Sequence, residues 1–106
     1  MTAGTFHILE MEQWDEDYVN MEGQAYIRFE ADGTGEFRFG VVQASLDWRS
    51  GTRDGRPAVE FSWEGSAECD PATGRGWAIL EAPDTLKGTI FFHMGDESGF
   101  AARRAQ

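Results

Sequence analysis

With 106 residues, a 41% hydrophobic fraction and 14 aromatic side chains, the chain suffices for one domain with a modest core and is too apolar for a disordered segment. Nineteen acids against nine bases give a net charge of −10, which argues against direct binding of nucleic-acid phosphates, since that needs clustered Lys and Arg. No apolar run nears the ~18 residues of a membrane span, Met1–Thr5 lacks the basic and apolar regions of a signal peptide, and Cys69 is alone, so a cytoplasmic setting is expected.

The first strand is expected over Thr5–Glu12, with Phe6 and Ile8 on one face and His7, Leu9 and Met11 on the other. Trp14, Tyr18 and Met21 then recur at helical spacing. Asp15, Glu16 and Asp17 suit a helix N-terminus and Gly23 a stop, so one or two helical turns are expected near residues 14–21. Gln24–Ala31 is a second strand, with Ala25, Ile27 and Phe29 facing one way, and Asp32-Gly33-Thr34-Gly35 has hairpin chemistry. A third strand is expected over Glu36–Leu46, placing Phe37, Phe39 and Val41 on one face. Arg49–Pro57 is the only basic cluster and reads as a mobile, glycine-rich connection.

Ala58–Glu64 is the cleanest period-two stretch, with Val59, Phe61 and Trp63 opposed to Glu60, Ser62 and Glu64. Gly65 suits a bend or bulge, and Asp70-Pro71-Ala72-Thr73-Gly74 reads as a turn. Gly74–Leu80 and Leu86–Asp96 form an antiparallel pair across Glu81–Thr85. Gly95–Gly99 is then a loop, Phe100 a last anchor, and Arg103 and Arg104 a fraying end.

Six strands joined by short turns predict an all-β antiparallel meander occupying residues 1–106 as a single domain. Phe37/Phe39, Phe61/Trp63 and Trp77/Ile79 would share one face, which too few remaining residues could cover as helices. The sheet is therefore expected to curl into a small barrel or half-barrel, with a two-sheet sandwich as the alternative.

Strong catalytic motifs are missing: there is no zinc-type Cys/His spacing, phosphate-binding loop or nucleophile elbow, and neither a cofactor nor a metal is expected. His93, three residues before Asp96, is a candidate base or ligand-binding donor at a barrel mouth, or else a structural histidine satisfied by its neighbours. His7 carries the same two readings. Glu60 and Glu64 share a strand face with Ser62, placing two carboxylates where acid–base work is possible, although such a row is more often a wet sheet face. Arg75 is expected to pair with one of them. Cys69, beside acids, is not expected to be an activated thiolate. The row Phe39, Phe61, Trp63, Trp77 either lines an apolar pocket or fills the interior; filling is preferred, as small barrels require it.

Charge is unevenly spread. Residues 10–36 hold nine acids against Arg28 alone, so Asp15, Glu16 and Asp17 offer a face to a basic protein partner, or simply a solvated surface. The runs Phe61-Ser62-Trp63-Glu64-Gly65, Gly74-Arg75-Gly76-Trp77-Ala78 and Ile90-Phe91-Phe92-His93-Met94-Gly95-Asp96-Glu97-Ser98 resemble a group of small bacterial all-β proteins with no established activity. Trp14–Tyr18 and Gly35–Gly40 extend the likeness. It implies a shared fold and no reaction. The leading expectation is a non-enzymatic accessory or binding protein recognising a protein partner or a small ligand; its rival is an enzyme using His93 and a carboxylate in a barrel-mouth pocket.

Overall fold

A computed structural model describes residues 3–105; Met1, Thr2 and Gln106 lie outside the described residues. Its elements are β1 (Gly4–Met11), α1 (Glu16–Val19), β2 (Tyr26–Phe29), β3 (Thr34–Phe39), β4 (Val42–Arg53), β5 (Arg56–Ala67), β6 (Asp70–Ala82), β7 (Thr85–Phe92) and β8 (Glu97–Arg104). The strands pair antiparallel in chain order, and β8 returns to β1 to close an eight-stranded barrel. No helix among the described residues is long and apolar enough to cross a membrane.

The barrel class is the expected one, but it has eight strands rather than about six. Glu36–Leu46 is two strands, reversed at Gly40-Val41; Gly40 has φ 54° and lies against the Tyr18 ring, where a side chain has no room. Val42, Ala44 and Leu46 therefore face inward in place of Val41. Arg49–Pro57 is no loop. β4 and β5 stay paired down to Arg53 and Arg56, around Asp54-Gly55, whose φ values of 53° and 74° make the two-residue turn that matches strand twist. Asp70–Thr73 belongs to β6, and its turn falls one step earlier, at Glu68-Cys69. Gly95 and Asp96 lie in the expected loop, but Glu97–Gly99 and the end expected to fray belong to β8, held on both sides by β7 and β1. In β1 a bulge between Ile8 and Glu10 turns Met11 inward.

Eight strands enclose a space that side chains just fill. Phe6, Phe29, Phe37, Phe39, Ile8, Ile27, Leu86, Ile90 and Val59 are all fully buried there. Two tryptophans close the ends. Trp14 stacks on Tyr18 at 5.9 Å and meets Phe39 at 5.2 Å and Phe92 at 6.1 Å, so α1 and its flank form a lid. At the other end Trp48 packs edge-on to Phe29 at 5.8 Å, and its indole N–H donates to the Glu30 and Thr34 carbonyls at 2.9 and 3.0 Å.

The inward row of β6 is the reverse of the expected one. Phe61 faces Gly76 and Trp63 faces Gly74, whereas Trp77 pairs with Glu60. Trp77 and Ile79 therefore lie on the outer wall, half-buried, and Gly74, Gly76 and Ala78 face inward. The reason is volume. Phe61 and Trp63 already occupy the lumen, so the neighbouring strand must bring small residues: a Cβ at Gly74 would lie 2.8 Å from the Trp63 ring.

The β2–β3 hairpin turns over 30–33 on Gly33, whose φ is 93°. The Thr34 N–H and hydroxyl both donate to Asp32 Oδ1, at 3.0 and 2.6 Å, and these bonds hold the carboxyl below its ordinary 3.8. A carboxylate whose folded pKa is lowered adds stability above its unfolded pKa and loses it as pH falls through the folded value. An NMR titration should accordingly place Asp32 below 3.8 in the wild type, and Thr34→Val should return it toward that value.

Candidate ligand groove on the outer wall

The β4–β5 hairpin outruns its neighbour. Pairing of β3 with β4 ends at Thr34 and Asp47, while β4 and β5 continue to Arg53 and Arg56 as an arm that stays joined to β6 as far as Ala58 and Ile79 and is two-stranded only beyond them. From the arm the Arg53 side chain reaches over the outer wall: its guanidinium lies 4.1 Å above the Trp77 ring of β6, and Ala58, on the outward side of β5, is only 4% exposed. A groove of about 540 Å³ results.

Two cross-strand rows form its floor. Asp47, Ser62, Arg75 and Phe91 are register neighbours from β4 to β7, and Arg49, Glu60, Trp77 and Thr89 form the next row. Three guanidiniums (Arg49, Arg53, Arg75) thus face two carboxylates (Asp47, Glu60), a local excess of positive charge in a chain of net charge −10. Among the described residues, Arg49 and Arg75 have no carboxylate within 4.0 Å. Arg53 approaches Glu60 at 3.9 Å, but the Glu60 side chain is 80% exposed, and so open a contact holds little. The rings position the cations instead: Arg53 on Trp77, and Arg75 at 5.2 Å from the Phe91 centroid. Cation–π contact leaves the N–H edge of a guanidinium available to an oxyanion.

A second hollow of about 550 Å³ shares Ser62, Arg75 and Phe91 with the first and runs on past Thr73 to His93 and Met94. Here the structure places His93, exposed in the β7–β8 turn. Its backbone N–H donates to the Thr73 carbonyl at 2.8 Å, and its ring has no hydrogen-bond or ion-pair partner among the described residues. Asp96 is exposed in the same turn, its carbonyl accepting from the Phe92 N–H at 2.8 Å. Glu64 pairs with Thr73, which puts two strand spacings, roughly 10 Å, between the Glu64 and His93 backbones. Glu60 stands in the first hollow and His93 at the far end of the second. The expected pairing of Arg75 with Glu60 or Glu64 does not occur. His7 sits on β1 opposite Tyr26 and Arg103, away from both hollows. No group of three His, Cys, Asp or Glu side chains among the described residues is arranged to hold a metal ion.

Asp15 serves the fold: its Oδ1 accepts the Tyr18 N–H at 2.9 Å and caps α1, while Glu16 and Asp17 lie exposed in the first turn. Cys69 is exposed in the β5–β6 turn. Sequence reasoning missed Arg49, Arg53 and Phe91 as site residues and assigned Trp77 to an inward row. The Asp54-Gly55 pair is a hairpin signal that could have joined Arg49–Arg53 to the strands beside it. Comparison with protein-family models, curated proteins and solved structures gave no match.

Proposed function

We propose that the protein is a non-enzymatic cytoplasmic binding protein, and that the groove beneath the β4–β5 arm takes an anionic group of a small ligand or protein partner. One observation carries this reading: Arg75 has no carboxylate partner within 4.0 Å among the described residues, yet it is held beside Phe91 at the junction of both hollows. A guanidinium so placed meets an oxyanion with little reorganisation, and a charge-assisted hydrogen bond contributes about 1.5–3 kcal/mol. The acids of residues 10–36 lie on β1, α1, β2, β3 and their connections, and none of them lines this groove. A basic partner for Asp15, Glu16 and Asp17 would be a separate contact at the α1 end.

The test uses isophthalate, a planar dicarboxylate, as probe, followed by tryptophan fluorescence because Trp77 forms a wall of the groove. Saturable binding should weaken by about tenfold or more in Arg75→Ala, while the melting temperature stays near wild type, as expected for an exposed site. Binding unchanged by this substitution would remove Arg75 from the site.

A further inference from the structure

We propose that the natural occupant of this groove is an extended, acidic peptide segment of a partner protein, lying along β6; the proposal rests on the groove being an anion site.

Length is the first argument. From Trp77 to Thr73 the floor spans four residue steps of one strand, about 13 Å, and the arm extends it at one end and the β7–β8 turn at the other. A compact metabolite is usually enclosed over 70–90% of its surface, whereas this groove is rimmed by side chains as open as Glu60 (80% exposed) and Met94 (95% exposed). A chain gains contact by running along an open groove.

Charge spacing is the second. The cations come in two places, Arg49 and Arg53 on the arm and Arg75 between the hollows, with Asp47 and Glu60 among them. A nucleic acid carries a phosphate at every nucleotide and would set some of these against Asp47 and Glu60. A peptide can place acidic side chains only where the arginines stand, and its backbone N–H groups can donate to the two carboxylates.

Met94 is the third. It stands exposed on a left-handed backbone, φ 57°, at the end of the second hollow. A flexible, polarizable thioether at a groove end suits an apolar side chain of a partner. The segment expected is therefore one with acidic positions two residues apart, matching the adjacent rows of Arg49 and Arg75, followed by an apolar residue that meets Met94.

The experiment measures fluorescence polarisation of a short labelled peptide, glutamate alternating with threonine and ending in leucine, against the full chain. Expected are saturable binding, loss of about tenfold or more in affinity with Arg75→Ala or Arg75→Gln, severalfold loss with Met94→Ser, and loss when the glutamates are replaced by glutamine. Circular dichroism of each variant verifies the barrel, and the exposed Met94→Ser change supplies a readout even if an Arg75 variant were impaired. Isophthalate that binds while the peptide neither binds nor competes overturns the peptide assignment and leaves the anion site standing. Absence of binding by both probes overturns both readings. Tighter binding of an oligothymidylate than of the peptide, or peptide binding indifferent to the Arg75 and Met94 substitutions, also overturns the assignment.

Discussion

Gly74→Ala is expected to destabilise the barrel by about 3 kcal/mol or more, at or beyond the upper end of ordinary overpacking. A methyl group there would meet the Phe91 carbonyl oxygen and would also sit 2.8 Å from the Trp63 ring. Neither neighbour can move freely, since the carbonyl belongs to the adjoining strand and the ring fills the lumen. For a domain of this size each kcal/mol shifts the melting temperature by roughly 4–8 °C, so the loss should exceed about 12 °C in a thermal scan. Gly51→Ala is the matched control. A Cβ at Gly51 meets nothing within 4 Å, and replacing glycine at a compatible strand position changes stability little or raises it slightly. Equal effects of the two substitutions would contradict the placement of Gly74 on the inner face.

The second large effect separates two tryptophans that alternation alone assigns to one face. Trp63→Ala should cost about 3–5 kcal/mol, as truncating a buried Trp does, because Trp63 is 4% exposed and packs against Phe37 at 5.1 Å and Phe92 at 5.0 Å. Its indole N–H is buried without a hydrogen-bond partner among the described residues, which already subtracts from its contribution. Trp77→Ala should cost markedly less, since its ring lies on the outer wall beneath Arg53. Urea denaturation of both variants measures the difference. A greater loss for Trp77 would restore it to the core.

Alternation in Ala58–Glu64 was legible because Val59, Phe61 and Trp63 are large and apolar while Glu60, Ser62 and Glu64 are not, so the inward face of β5 followed directly. In β6 the same logic failed. Its inward residues are Gly74, Gly76 and Ala78, whose smallness answers to Phe61 and Trp63 across the strand boundary; hydrophobicity along β6 alone carries no trace of that. The short helix was readable from Trp14, Tyr18 and the acids at its start. β8 was not, because Gly99, Ala101 and Ala102 give a weak strand signal and its stability comes from pairing with β1, distant in sequence. For the groove, Glu60 and Arg75 were singled out, but as acid–base and structural groups. Their actual setting depends on Arg53 reaching over Trp77 from two strands away, a three-dimensional feature that no local spacing encodes.

The claim that recognition takes place outside the barrel, between the arm and β6, is tested most directly by backbone amide shifts during an isophthalate titration. Perturbations should concentrate at Asp47–Arg53, Glu60–Ser62, Arg75–Trp77 and Phe91, leaving Ile27–Phe29 of β2 and α1 unchanged. Shifts centred on Phe37, Phe39 and Trp14, or no saturable shifts at all, would contradict the account.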